Sequence, residues 1–284
     1  MCGGEARGFM HRFELAFFRC AQCRLEFISP QPDDAALARI YGEHYYAAWG
    51  LARRQELVYQ LKLGTFDLRL DLIAAGLPPR AKVLDLGCAT GFFLDAARLR
   101  GLDAFGVEWS EFGASTAASR HGFDHVFRGE FADARFAALP HNRFDAIFMS
   151  DFIEHVRDPF STLRLAFERL ERGGFVVITT PKIGSLSYKL MGHGWSQYKA
   201  EHLYYFSAAN MRRALEDAGF ADIQYHPAKK RMSLNYIFEI FRAYPHRLLS
   251  PVAALANRVL PEQLRNVQFL VSLGDMVAVA RKRP

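Results

Sequence analysis

The sequence predicts an α/β fold: a doubly wound, mostly parallel sheet of seven strands, with a small cysteine-containing arm ahead of it. Three observations predict it. From Lys82 onward, short apolar runs alternate with helical segments, the pattern of a parallel sheet covered by helices. The first apolar run ends in a turn bounded by Gly87 and Gly91, and a helical pattern follows at once. Cys2, Cys20 and Cys23, three of the four cysteines, fall within the first 32 residues.

In chain order, residues 1–32 form the arm, which closes at Ser29-Pro30-Gln31-Pro32. Residues 33–79 predict a helical lid or linker. Asp33 and Asp34 offer N-caps, Ala35, Leu37, Ile40 and Tyr41 supply an apolar face, and Pro78-Pro79 a stop. Residues 80–284 carry the main domain. Its strands are expected at 82–87, 103–108, 125–128, 144–150 and 175–180, and a late pair near 221–227 and 276–282 finishes the sheet. Helices are expected at about 91–100, 111–121, 159–171 and 208–218, with Gly173-Gly174 and Gly219 at C-cap positions. Two insertions interrupt the pattern, at about 182–206 and 228–270, the second rich in Phe, Tyr, Leu and Val.

The 284 residues are 50% hydrophobic and 23% charged, ordinary for a globular chain, and carry a formal net charge of +6. The densest cationic clusters, Lys229-Lys230-Arg231 and Arg281-Lys282-Arg283, are short. No Arg/Lys run is interleaved with aromatics, so a nucleic acid is not expected as a partner. No stretch reaches the ~18 apolar residues of a spanning helix, and the start lacks the apolar core of a signal peptide. A cytoplasmic location is therefore expected, where cysteines stay reduced or bind metal.

The run Val83-Leu84-Asp85-Leu86-Gly87-Cys88-Ala89-Thr90-Gly91 carries the first chemistry. Gly87 allows a tight turn, and Gly91 lets a ligand approach the opening helix. Glu108 ends the second strand, 21 residues after Gly87, where a carboxylate accepts two hydroxyl hydrogen bonds from a ribose. The spacing is Gly-x-x-x-Gly rather than the Gly-x-Gly-x-x-Gly of a pyrophosphate site. Asp85 would repel phosphate but suits a ligand carrying an ammonium and a sulfonium. Cys88, Trp109 and Ser150 flank this frame and complete the cofactor-binding set expected there.

This loop resembles motif I of the class I S-adenosylmethionine-dependent methyltransferases, acid-x-Gly-x-Gly-x-Gly, with Ala89 in place of the middle glycine. Phe144-Asp145-Ala146-Ile147 with Asp151-Phe152-Ile153-Glu154-His155-Val156-Arg157-Asp158-Pro159 looks like the fourth-strand region of those enzymes, and Gly173 to Pro181 like the fifth. Glu201-His202-Leu203-Tyr204-Tyr205-Phe206-Ser207 and Glu216-Asp217-Ala218-Gly219-Phe220 are similar to the last-helix region of the ubiquinone-methyltransferase-like group. The resemblance implies a Rossmann-like fold, S-adenosylmethionine as cofactor, and Gly129-Glu130-Phe131 as the loop that holds the adenine. It also implies a small-molecule acceptor, mostly methylated on oxygen. Nitrogen methyltransferases carry an Asn/Asp-Pro-Pro-Tyr/Phe run after the fourth strand, whereas this chain reads Ser150-Asp151-Phe152-Ile153.

An oxygen acceptor profits from a general base, and histidine suits that role near neutral pH. His155, just past the fourth strand, is the favoured base, with His202 as substrate contact or alternate base. Asp151, Glu154 and His155, at i, i+3 and i+4, would share a helical face and offer a divalent ion such as Mg an acid-rich set, which the ubiquinone-type enzymes also carry. Cys20-Ala21-Gln22-Cys23 is half of a zinc knuckle, and the arm resembles the zinc ribbon that precedes some of these enzymes. Cys2 matches one cysteine of the missing pair, leaving a fourth zinc donor to His11 or water, or a first cysteine upstream of Met1. Tyr41, Tyr45, Tyr46 and Trp49, and Trp195 and Tyr198 in the first insertion, are expected on the substrate side, with a stripe buried against the sheet as the alternative. The 232–271 stretch, with Phe238, Ile240, Phe241, Leu248 and Leu249 near Arg242 and Arg247, reads as amphipathic helix. It is expected to pack on its own domain or form a homodimer, with contact to an anionic membrane and a lipid- or sugar-linked acceptor as the alternative. A non-catalytic cofactor-binding subunit is the remaining alternative.

Overall fold

A computed structural model describes residues 2–40, 55–139, 142–243 and 249–283. Seven strands form the main sheet: β4 (Lys82–Leu86), β5 (Asp103–Glu108), β6 (Val126–Arg128), β7 (Phe144–Ser150), β8 (Leu170–Pro181), β10 (Ala221–Ser233) and β11 (Gln268–Arg281). Their order is β10-β11-β8-β7-β4-β5-β6, with β4 to β8 parallel to one another and β11 antiparallel to both β8 and β10. The chain reverses direction of travel at β4, between β5 and β7, so the carboxyl ends of these strands open one crevice. Neighbouring residues on β4 feed opposite faces: Val83 joins one apolar core, Leu84 and Leu86 the other. A sheet buried on both faces needs such near-continuous apolar strands.

The helices are α1 (Asp34–Ile40), α2 (Gln55–Leu70), α3 (Phe92–Leu99), α4 (Glu111–His121), α5 (Ala134–Ala137), α6 (Pro159–Arg169), α7 (Leu186–Met191), α8 (Ala208–Asp217), α9 (Leu234–Ala243), α10 (Leu249–Val259) and α11 (Glu262–Asn266). Their starts follow local capping. Asp33 accepts from the Ala36 N–H, Ser110 and Asp158 cap α4 and α6, and Ser207 with Asn210 forms a capping box on α8. Gly219 follows α8 with φ +101°, the C-cap role its position predicts.

Gly173-Gly174 is a correction. The helix stops at Arg169 and β8 begins at Leu170, so both glycines lie within a strand. A Cβ at Gly174 would fall 2.9 Å from the Asp145 carbonyl oxygen, so the residue serves close strand approach. The helix expected to reach Pro78-Pro79 ends at Leu70. The β10–β11 ladder continues from Lys229↔Ser272 to Ser233↔Gln268, so strand pairing runs through residues assigned to the second insertion, and the helices α9 to α11 occupy 234–266 alone.

The arm folds as β1 (Ala6–Arg12), β2 (Leu15–Cys20) and β3 (Glu26–Ile28), an antiparallel sheet whose fourth strand is β9 (Tyr204–Tyr205), from the first insertion. Phe17, Ile28, Trp195, Tyr198 and Tyr205 are fully buried between them.

Candidate functional site

The cofactor side is built at the carboxyl end of β4. The Gly87 and Cys88 N–H groups donate to the Val107 carbonyl, and Gly87, Ala89 and Gly91 turn the chain with φ of +73°, +49° and +89°. Glu108 ends β5 beneath this turn. One of its carboxylate oxygens accepts from the Ala89 N–H and the other from the Ser110 N–H, both at 2.8 Å. Asp85 is buried, and its Oδ1 has no hydrogen-bond partner. Burial first, then the charge of Glu108, raises the Asp85 pKa well above the carboxylate range. Two buried acids near one another, one with an unsatisfied oxygen, fit a cationic ligand, which would both pair with Asp85 and favour its ionised form. The residues present therefore fit the ammonium-and-sulfonium cofactor.

The flanking cofactor candidates divide. Trp109 stands half exposed beside Glu108, and Ser150 closes β7 opposite Thr179. Glu130 is exposed on the loop after β6. Phe131 is instead buried, its ring centroid 5.4 Å from that of Phe136, and Cys88 is buried with its Sγ at Gly106, where a Cβ would come within 2.5 Å. Both side chains are packed into the apolar core.

The residues expected to meet the acceptor lie past β7. The segment 151–157 is a turn rather than a helix, because Asp151 takes a left-handed φ of +51° and breaks any helical continuation from the strand. The helical face expected for Asp151, Glu154 and His155 is thus not formed. The Glu154 carbonyl accepts from the N–H groups of Leu203 and Tyr204, and that tie brings His202 to His155. The two imidazoles meet edge to face at 4.6 Å between centroids. Glu154 is buried beneath them, accepting from the Thr180 hydroxyl at 3.0 Å, and its other oxygen lies 4.0 Å from His155 Nε2. Glu154, His155 and His202 therefore place their ligand atoms within 4.8 Å of one another, with His202 in the place expected of Asp151. Burial pushes the His155 imidazole pKa down to about 4, and His202 well below its usual range, so both are neutral near pH 7.

Asp151 points to a second cluster, which the sequence did not single out. Lys230 of β10 lies 3.6 Å from Asp151 and 2.8 Å from the buried Asp275 of β11. Burial works against the Lys230 ammonium, but the two carboxylates outweigh it and raise its pKa. Arg69 of α2, also buried, donates from Nε to the Thr179 hydroxyl and leaves one guanidinium nitrogen without a partner. The signal that would have found Lys230 was strand alternation: Ala228 and Met232 are buried, Lys229 and Arg231 exposed.

The substrate-side aromatics are placed as follows. Tyr45 and Tyr46, with Tyr41 and Trp49, lie outside the described residues. Trp195 and Tyr198 are each 1% exposed, inside the aromatic core under the arm. The Trp195 indole donates to Ser187, and Tyr198 donates to the buried Glu26 at 2.6 Å. They leave no face for a substrate, which corrects the reading of both as acceptor contacts. Cys2, Cys20 and Cys23 come together with their sulfurs within 4.8 Å. The Gly4 N–H, then Cys23 and Cys20, lower the Cys2 thiol to about 7, whereas burial raises Cys23 to about 11. His11 pairs with Ala16 at the opposite end of the β1–β2 ladder from Cys20, so it does not supply a fourth donor.

Known proteins match this architecture. A family model described as methyltransferase domain matches residues 57–225. A ubiquinone biosynthesis O-methyltransferase of Pseudomonas putida is 31% identical over 42% of this chain and 50% of its own length. Phosphoethanolamine N-methyltransferase 1 of Arabidopsis thaliana is 28% identical over 65% of this chain and 35% of its own length. The chain thus spans half or less of these two curated relatives. In fold, an S-adenosylmethionine-dependent methyltransferase of Thermotoga maritima superposes with a TM-score of 0.52 at 20% identity, covering 88% of this chain and 99% of its own.

Proposed function

The chain belongs to the class I S-adenosylmethionine-dependent methyltransferases, and from that premise we propose that it transfers a methyl group to an oxygen of a small-molecule acceptor. The observation that carries this reading is the His155–His202 pair, two neutral imidazoles at the carboxyl edge of β7 beside the cofactor crevice. When bound, the cofactor supplies a methyl carbon activated by its sulfonium. Asp85 and Glu108 bind and orient it, Gly87 and Gly91 leave room for its approach, and Trp109, Glu130 and Ser150 border it. His155 accepts the proton of the acceptor hydroxyl, and His202 packs edge-on against its ring. The Lys230–Asp151 pair borders the acceptor at the other wall.

The zinc assignment belongs to the same reading, and a divalent ion at Glu154, His155 and His202 is its alternative, because an imidazole nitrogen bound to an ion cannot take the acceptor's proton. Cys2, Cys20 and Cys23 would hold a structural zinc, a set of three soft donors at matching reach. Glu154, His155 and His202 would offer a divalent ion one carboxylate and two imidazoles. Elemental analysis of the purified chain tests both: one equivalent of zinc lost in a Cys20→Ser variant supports the first, and an ion lost in Glu154→Gln the second.

Calorimetric titration with S-adenosylmethionine and with NAD tests the cofactor, and binding of NAD alone would sink the proposal. Incubating a metabolite pool with methyl-labelled cofactor then identifies the acceptor. His155→Ala should cut turnover by roughly 10²–10⁴-fold with cofactor affinity unchanged. Label arriving on nitrogen instead of oxygen would replace the acceptor class and keep the family.

A further inference from the structure

Most of the large hydrophobic side chains exposed among the described residues fall in two segments, α7 and the stretch from α10 to Leu273. On α10, Val252, Leu255 and Val259 stand at i, i+3 and i+7, so one helix face is apolar, and Val259 is 69% exposed while Ala253 is buried. On the β10–β11 ribbon beyond the main sheet, Leu270 and Leu273 are half exposed, and Leu190 of α7 is 77% exposed. The segments adjoin one another. The Ser187 hydroxyl donates to the Leu273 carbonyl at 3.2 Å, Asn235 donates to Asn266 at 2.6 Å, and Arg265 donates to the Asn257 carbonyl at 3.0 Å. Single exposed apolar residues are ordinary, but a continuous group of this extent marks an interaction surface.

The charge around it selects the occupant. Lys189, Lys229, Arg231 and Arg258 are exposed on the same segments. Among the described residues 186–191, 228–233 and 249–273, which carry these cations, Glu262 is the lone acid. A second copy docked across a two-fold axis would set these cations against themselves. An anionic lipid surface complements them, with apolar side chains entering the acyl boundary and Lys and Arg meeting the headgroups. No helix among the described residues is long and apolar enough to cross a membrane, so the contact is peripheral.

We propose that this face, centred on α10 and the β10–β11 ribbon, docks on an anionic phospholipid bilayer. The docking does not rest on the methyltransferase reading of the site: by strand alternation Lys229 and Arg231 point away from Lys230, whose ammonium pairs with Asp151 and Asp275 on the opposite face of the ribbon.

The test uses the full chain and two vesicle types, phosphatidylcholine alone and an equal mixture of phosphatidylcholine and phosphatidylglycerol. Co-sedimentation should occur with the mixture only and weaken in high salt. Leu255→Asp with Val259→Asp, and separately Lys229→Glu with Arg231→Glu, should each lower the partition at least about tenfold. Circular dichroism and calorimetric binding of S-adenosylmethionine should stay unchanged in both variants. Equal binding to both vesicle types, no binding to either, or no loss in the variants overturns the proposal. So does a dimer in light scattering that dissociates on Leu255→Asp, because a second copy then covers the face. Loss of S-adenosylmethionine binding with vesicle binding intact would sink the reading of the site and still support the docking.

Discussion

Ala89 turns the cofactor loop with φ +49°, a region where Cβ crowds the following carbonyl and which costs an alanine roughly 1 kcal/mol. Family members with glycine there avoid that strain, so Ala89→Gly should raise stability by up to about 1 kcal/mol and the unfolding temperature by a few degrees. A lower unfolding temperature would show that the methyl group packs usefully. His121, on α4, makes a pH prediction. Burial first, then Arg98 and Arg120, lowers its pKa from 6.5 to about 4, and Asp95 and His125 complete its charged surroundings. The folded state then binds fewer protons than the unfolded chain between those values. Its contribution is fully present above about pH 6.5 and is lost as pH falls toward 4. Urea unfolding across that window should show a shallower acid decline in His121→Gln, and an unchanged slope would refute the assignment.

At the scale of elements, the strands of the main sheet stood in the sequence because each parallel strand is buried on both faces and reads as a short apolar run. The cofactor loop was equally legible, since its backbone turns are encoded locally by Gly87 and Gly91. The acceptor side was not. His155 and His202 are brought together by the hydrogen bonds of the Leu203 and Tyr204 N–H groups to the Glu154 carbonyl, and Lys230, Asp275 and Arg69 converge from β10, β11 and α2. No local spacing records such a convergence. The i, i+4 spacing of Asp151 and His155 misled because a single left-handed residue replaces the helix it assumes. The arm sheet makes its own prediction. Trp195→Ala removes a fully buried ring that packs on Tyr188, Tyr198 and Tyr205, and should cost about 3–5 kcal/mol by chemical denaturation. Tyr198→Phe should cost less, about 1–3 kcal/mol, by leaving buried Glu26 one hydrogen bond short.

For the whole molecule, the matched family segment 57–225 omits β1 to β3 and all of β11, yet both contribute to buried cores. A chain shortened to begin at Asp33 should therefore expose Trp195, Tyr198 and Tyr205, bind a hydrophobic dye and melt earlier, rather than behave as a trimmed domain. An unchanged melting profile would show that the arm only rests on the surface. The pairing of β3 with β9 reaches further than stability. Residues 202–206 give their backbone to the arm through Tyr204 and Tyr205, and to the acceptor side through Leu203, while Asn210 donates to the Cys23 carbonyl. An arm borrowed from another protein would arrive without the partner strand that positions His202. Exchanging the arm alone should therefore disturb the His155–His202 pair before it disturbs the main sheet.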